Sequence, residues 1–197
     1  MGGHTPRDDN NAQGEGVHEI DELPDDKLIE RVEFGDEQSF AVLVGRYRVK
    51  ALHVAYGILQ SRADAEDAVQ EAFIRIYRHL GKFRGTGCFS SWLYKVVVNE
   101  SLRLLRTRRL ASTKTESYSP PGATADKDTE AILVVKQCLS DLPIKYRTVL
   151  ALRAIKELDY AEIAGIIEAP VGTVRSRLNE ARRLFAERWK ELMGDEV

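Results

Sequence analysis

Cysteine is scarce: Cys88 and Cys138 are the only two in 197 residues. Two thiols so far apart are no disulfide framework and suit a reducing compartment, so a cytoplasmic protein is expected. The four histidines, His4, His18, His53 and His79, show no metal-ligand spacing with those cysteines, so no metal or other cofactor is expected. No apolar run approaches the roughly 20 residues of a membrane-spanning helix. The N-terminal stretch lacks the apolar core of a secretory signal. Also missing are paired carboxylates, a nucleophile beside its base, and glycines spaced to cradle phosphate, since Gly81, Gly85 and Gly87 do not fit that pattern. These absences argue against an enzyme and leave binding as the function to be found.

What the chain does have is charge, unevenly spread. The net charge is −2, but residues 1–26 hold eight acids against one arginine, a net −7, leaving 23 acids against 28 bases and +5 over residues 27–197. The first 26 residues have almost nothing apolar to bury and read as a disordered acidic tail. The remainder is basic and of ordinary hydrophobicity.

The most informative stretch is LDYAEIAGIIEAPVGTVRSRLNEARRL, residues 158–184. Asp159 can cap a helix, and Glu162 can reach back to complete a capping box. Glu168-Ala169-Pro170 interrupts that helix, because the residue before a proline avoids the α region. A second helix from Val171 turns Val174, Leu178, Ala181, Leu184 and Phe185 inward. Its other face carries Thr173, Arg175, Ser176, Arg177, Asn179, Arg182 and Arg183. Arginine forks and small polar side chains near a helix N-terminus suit base edges in the major groove, so this is a helix-turn-helix with its recognition helix second.

Upstream, Phe40, Leu43, Val44, Tyr47 and Ala51 begin a long helix at three- and four-residue spacing. DAEDAVQEAFIRIYRHL, residues 64–80, is another, with Asp64 expected as its cap and Val69, Ala72, Phe73, Ile76 and Leu80 facing a core. Asp67, Gln70, Glu71 and Ile74 share a different face, acidic with an apolar edge. The loop GKFRGTG then offers Phe83 and Arg84. Ser90 is expected to cap the next helix, which puts Trp92, Leu93, Val96 and Val97 inward. Asn99, Arg103, Arg106, Arg108 and Arg109 follow. A loop aromatic, an amide and arginines in that order make a candidate single-strand track, since bases stack on aromatic rings. Residues 111–129 have no apolar periodicity and read as a flexible linker, which at about 3.3 Å per residue spans at most about 60 Å. Periodicity resumes at Ile132, Leu133, Val135, Leu139 and Leu142.

RADAEDAVQEAFIRIY, FRGTGCFSSWLYKVVVNESLRLLR, CLSDLPIKYRTVLALRAIKELDYAEIA and PVGTVRSRLNEAR, in that order, resemble a bacterial sigma factor of the extracytoplasmic-function class. The resemblance spans about residues 27–192. It implies an all-α fold of two small helical domains, region 2 at 27–110 and region 4 at 130–193, joined by the 111–129 linker. It also implies binding to core RNA polymerase and direction of transcription to promoter DNA. Asp67, Gln70 and Glu71 would meet the clamp helices of the largest polymerase subunit, and region 4 would meet the flap of the second largest. Phe83, Arg84, Asn99, Arg103 and Arg106 would engage the melted −10 element, with Phe83 and Asn99 at positions that line the pocket for a flipped base. Thr173, Arg175, Ser176, Asn179 and Arg182 would read the −35 duplex. The family often carries an anti-sigma partner. Some members differ at Asn179 and Glu180, so their −35 preference does not transfer. A stand-alone helix-turn-helix regulator is the competing reading, but it gives the acidic helix, Phe83 and Asn99 nothing to do.

Overall fold

Short-range capping decides where each helix starts. The structure, a computed structural model, describes residues 20–83, 88–111, 127–155 and 158–194. Most of the acidic tail, Arg84 and the centre of the expected linker lie outside those residues. Among the described residues every regular element is helical. They are α1 Asp25–Glu33, α2 Glu37–Leu59, α3 Arg62–His79, α4 Phe89–Ala111, α5 Lys127–Asp141, α6 Ile144–Arg153, α7 Tyr160–Ile166 and α8 Val171–Met193, with a 3₁₀ turn at Leu80–Lys82. The all-α architecture that the resemblance implies is what forms among the described residues.

Gly35, at φ +92°, lets the chain turn sharply after α1. Asp36 then caps α2, accepting from the backbone N–H groups of Gln38 and Ser39 at 3.0 and 3.3 Å. The Arg31 guanidinium at 2.8 Å, together with the Ser39 hydroxyl, holds the Asp36 carboxyl down at about 2. Two expected caps move. Ser61, not Asp64, caps α3, because its extended backbone aims the hydroxyl at the Asp64 N–H. Asp64 is instead buried in the first turn and pairs with Arg108 of α4. Similarly, α4 begins at Phe89, ahead of Ser90, whose hydroxyl contacts the Cys88 thiol at 2.9 Å.

Helices α2, α3 and α4 pack on one another with α1 laid across α2. Leu43, Ile58, Ile76, Leu93, Tyr94 and Val97 are fully buried between them. Glu100 is buried too, held by Arg75 of α3 at 3.0 Å and by Arg103 one turn along α4 at 2.7 Å. These charged seams tie α3 to α4 along their length.

The second unit packs α6, α7 and α8 together with α5 on α8. Arg147 is buried beside the end of α5 and donates to the Leu139 and Ser140 carbonyls at 3.4 Å each. They lie in the last turn, where Leu139 also accepts from the Leu142 N–H at 3.3 Å, and a cation suits the negative end of the helix dipole. Burial pushes the Arg147 pKa below its usual value.

The sequence reading has two domains on a flexible tether, free to sit apart. In the structure they touch. Helix α2 packs against α6 and α4 against α7, and one buried apolar cluster runs through both units. Gly57 makes the close approach possible: a Cβ on it would lie 2.7 Å from the Ala151 Cβ.

Candidate nucleic-acid and polymerase interfaces

The helix-turn-helix forms as its residues require. Asp159 accepts from the Glu162 N–H at 2.8 Å, and the Glu162 carboxylate accepts from the Asp159 N–H at 2.8 Å. Both halves of the capping box are therefore present. Glu168 takes the left-handed conformation at φ +52° in the turn, and Pro170 leads into α8. Val174, Leu178 and Ala181 are fully buried, while Leu184 and Phe185 are half-buried. That anchoring leaves Arg175, Ser176, Asn179 and Arg182 exposed, with Thr173 half-buried. Arg175 and Arg182 form no ion pair among the described residues, so their guanidinium groups are free for an acceptor. Arg183 is not free: Glu180 at 2.7 Å and Glu187 at 2.5 Å occupy its fork.

Asp67, Gln70 and Glu71 lie exposed on α3, with Ile74 half-buried among them. Only Gln70 of the three borders a groove of about 870 Å³ between α2 and α3, whose lining includes Phe40, Val44, Phe73, Ile74 and Tyr77. Glu71 lies toward α4, near enough for its charge to help raise the Arg103 pKa, after the larger effect of Glu100. The sequence reading missed the groove. In sequence Phe40 and Val44 show only the spacing of a helix, and that spacing matches Gln70, Ile74 and Tyr77 on the facing helix.

The residues read as the −10 track do not converge on one cavity. Phe83 is half-buried, edge-on to Phe89 at 5.8 Å and tilted against Trp92 at 5.4 Å. Asn99 is seven residues beyond Trp92, about 10 Å along the helix. It is exposed, on a groove of about 470 Å³ whose lining also includes Ile144, Ile166 and Ile167. Arg106 lines the same groove. Arg103 and Arg108 are exposed at their tips yet engaged by the buried carboxylates of Glu100 and Asp64. Arginines that read as free phosphate ligands thus partly balance internal charge.

Two family descriptions match, and they fall on the two packed units: Sigma-70 region 2 over residues 43–110, and Sigma-70, region 4 over residues 132–185. The RNA polymerase sigma-H factor of Pseudomonas aeruginosa is 35% identical over 186 residues, covering 87% of this chain and 96% of that protein. The ECF RNA polymerase sigma-E factor of Escherichia coli K12 is 35% identical over 188 residues, covering 88% and 98%. The chain belongs to the ECF sigma factors. As a sigma factor it binds core RNA polymerase and directs promoter recognition and transcription initiation. A similar fold occurs in CnrH, solved in complex with the cytosolic domain of CnrY, at TM-score 0.65 and 23% identity over 83% of this chain and 95% of that one. It occurs again in the Bartonella quintana sigma factor RpoE, solved with the anti-sigma factor NepR, at TM-score 0.60 and 21% identity over 79% and 98%. Among the described residues of this sigma factor, no helix is long and apolar enough to cross a membrane.

Proposed function

We propose that this sigma factor divides its task between the two packed units, region 2 at 27–110 and region 4 at 130–193. Region 2 docks on the clamp helices of the largest polymerase subunit through Asp67, Gln70 and Glu71, with the apolar α2–α3 groove beside Gln70 taking a partner side chain. It then receives the melted −10 strand through Phe83, Arg84, Asn99, Arg103 and Arg106. Region 4 meets the flap of the second-largest subunit and reads the −35 duplex through Thr173, Arg175, Ser176, Asn179 and Arg182. The protein works in the cytoplasm without a cofactor, and an anti-sigma factor, a partner of the kind named for RpoE, holds it inactive.

The observation that carries this reading is the outer face of α8. Two unpaired arginines flank Ser176 and Asn179 on a helix whose opposite face is locked into a core. Such a face presents guanidinium forks to guanine edges at no packing cost. Core polymerase reconstituted with the full chain should initiate run-off transcription. Arg175→Ala should weaken −35 reading by about 1–3 kcal/mol and relax preference at one base pair. An unchanged preference at every base pair of the −35 element would overturn the assignment.

A further inference from the structure

We infer that Tyr47 is a positioning residue for promoter opening: tied at its hydroxyl to the first turn of α1, it braces the aromatic rings that hold Phe83. The tie is polar and specific. Asp25, the first residue of α1, accepts from the Tyr47 hydroxyl with one carboxylate oxygen and from Arg46 at 2.7 Å with the other. The Arg46 guanidinium also donates to the Leu23 and Asp21 carbonyls at 2.6 and 2.5 Å, which fastens the chain leading into α1. Burial, then the bond to Asp25, raises the Tyr47 pKa above the usual tyrosine range and keeps the phenol a donor.

The Tyr47 ring itself packs on α4. It lies edge-on to Phe89 at 5.5 Å and to Tyr94 at 6.5 Å. Phe89, only 4% exposed, is in turn edge-on to Phe83 at 5.8 Å. Phe83 and Phe89 both lean on Trp92, at 5.4 and 6.0 Å. Edge-on pairs are directional, because the positive rim of one ring must meet the negative face of the next. Phe83 stands outside any helix, so its ring is set by these neighbours and not by a helical turn. Apolar packing alone leaves the Tyr47 ring free to rock about its side-chain bonds. A hydroxyl bonded to a carboxylate, itself held by Arg46, fixes where the tip of that ring stops, since such bonds are short and strong. The bracing needs only these contacts. Its consequence for opening rests on Phe83 receiving the melted strand, as proposed above.

The test uses the full chain, alone and on core polymerase. Tyr47→Phe keeps the ring and removes the tie, so helical content should hold. With Trp189→Phe as background, Trp92 is the sole tryptophan. In that background Tyr47→Phe should let acrylamide quench Trp92 more steeply and move its emission to the red. On polymerase, Tyr47→Phe should form closed complexes normally and open a duplex promoter about tenfold more slowly, the lower end of what a hydrogen bond to a charged group holds. A template mismatched at −10 should recover most of that loss, whereas a shortage of folded protein would not be rescued so. The Asp25→Ala, Tyr47→Phe double variant should be no slower than Asp25→Ala alone, because both changes remove one bond. Added to Phe83→Ala, Tyr47→Phe should slow opening no further. Unchanged Trp92 quenching would overturn the bracing. Normal opening by Tyr47→Phe, where Phe83→Ala opens poorly, would overturn the positioning role, as would a full tenfold loss on top of Phe83→Ala. If Trp92 loosens while Phe83→Ala opens duplex DNA normally, the −10 reading of Phe83 fails, and the effect on opening with it, while the bracing stands.

Discussion

Glu100 allows a sharp test of how charge holds region 2 together. Its carboxylate is 2% exposed, whereas its partners Arg75 and Arg103 are 53% and 55% exposed. The two sides of this triad should therefore respond very differently to deletion. Glu100→Gln removes the buried charge and keeps the shape, and the arginines swing into water, so the loss is about 1–3 kcal/mol for charge-assisted hydrogen bonds. Arg75→Ala or Arg103→Ala alone leaves one cation in place and should cost about 1 kcal/mol. Removing both strands the carboxylate in an apolar interior, which costs about 3–5 kcal/mol. The double deletion should thus exceed the sum of the singles by at least about 1 kcal/mol. At about 2–4 °C per kcal/mol for a chain of this size, it should lower Tm by roughly 6–20 °C. Adding Glu100→Gln to the double deletion should recover much of that loss, since no buried charge then remains. Thermal and urea unfolding of the five variants and the wild type measure every corner of the cycle. Strictly additive losses, or no rescue by Glu100→Gln, would refute the claim that Glu100 depends on both arginines.

Asp36, with its carboxyl held at about 2 against an ordinary value near 3.8, adds stability that is present above pH 4 and lost as pH falls toward 2. Asp36→Asn should flatten that part of the acid-unfolding curve, and an unaltered curve would contradict the assigned role. Phe83→Ala should form closed promoter complexes normally but melt the −10 region poorly, because flipping a base costs a few kcal/mol that its receiving pocket must return. A template already mismatched there should partly restore transcription; equal defects on both templates by permanganate footprinting would make Phe83 only an anchor on Trp92. Asp67→Ala with Glu71→Ala should leave helicity and Tm near wild type and weaken competition for core polymerase, since both side chains are exposed and bury nothing. Undiminished competition would remove them from the docking face.

Much of the local architecture is written in spacings of three and four residues. The capping box needs only Asp159 and Glu162, one helical turn apart, and both of its hydrogen bonds close at 2.8 Å. The inward side of α8 follows from the placement of Val174, Leu178 and Ala181, and its outward side from the arginines between them. Where local signals compete, the sequence is less decisive: Ser61 and Asp64 are both capping types, and it is Asp64, buried against Arg108, that gives up the cap. Arg108 lies 44 positions from Asp64, too distant for any turn-scale pattern to register.

What the sequence determined alone was therefore whatever one or two helical turns can carry: helical periodicity, the apolar faces of the helices, and a recognition helix with arginines on its outer face. The tertiary structure decided what depends on how helices cross. It turned Arg103 and Arg108 from free cations into partners of buried acids, and it separated Phe83 from Asn99 along α4. It also brought Gly57 against Ala151 and Lys95 against Glu168 across two domains. Periodicity says which side of a helix is apolar but not which other helix it will meet, because that choice is set by the fit of whole surfaces.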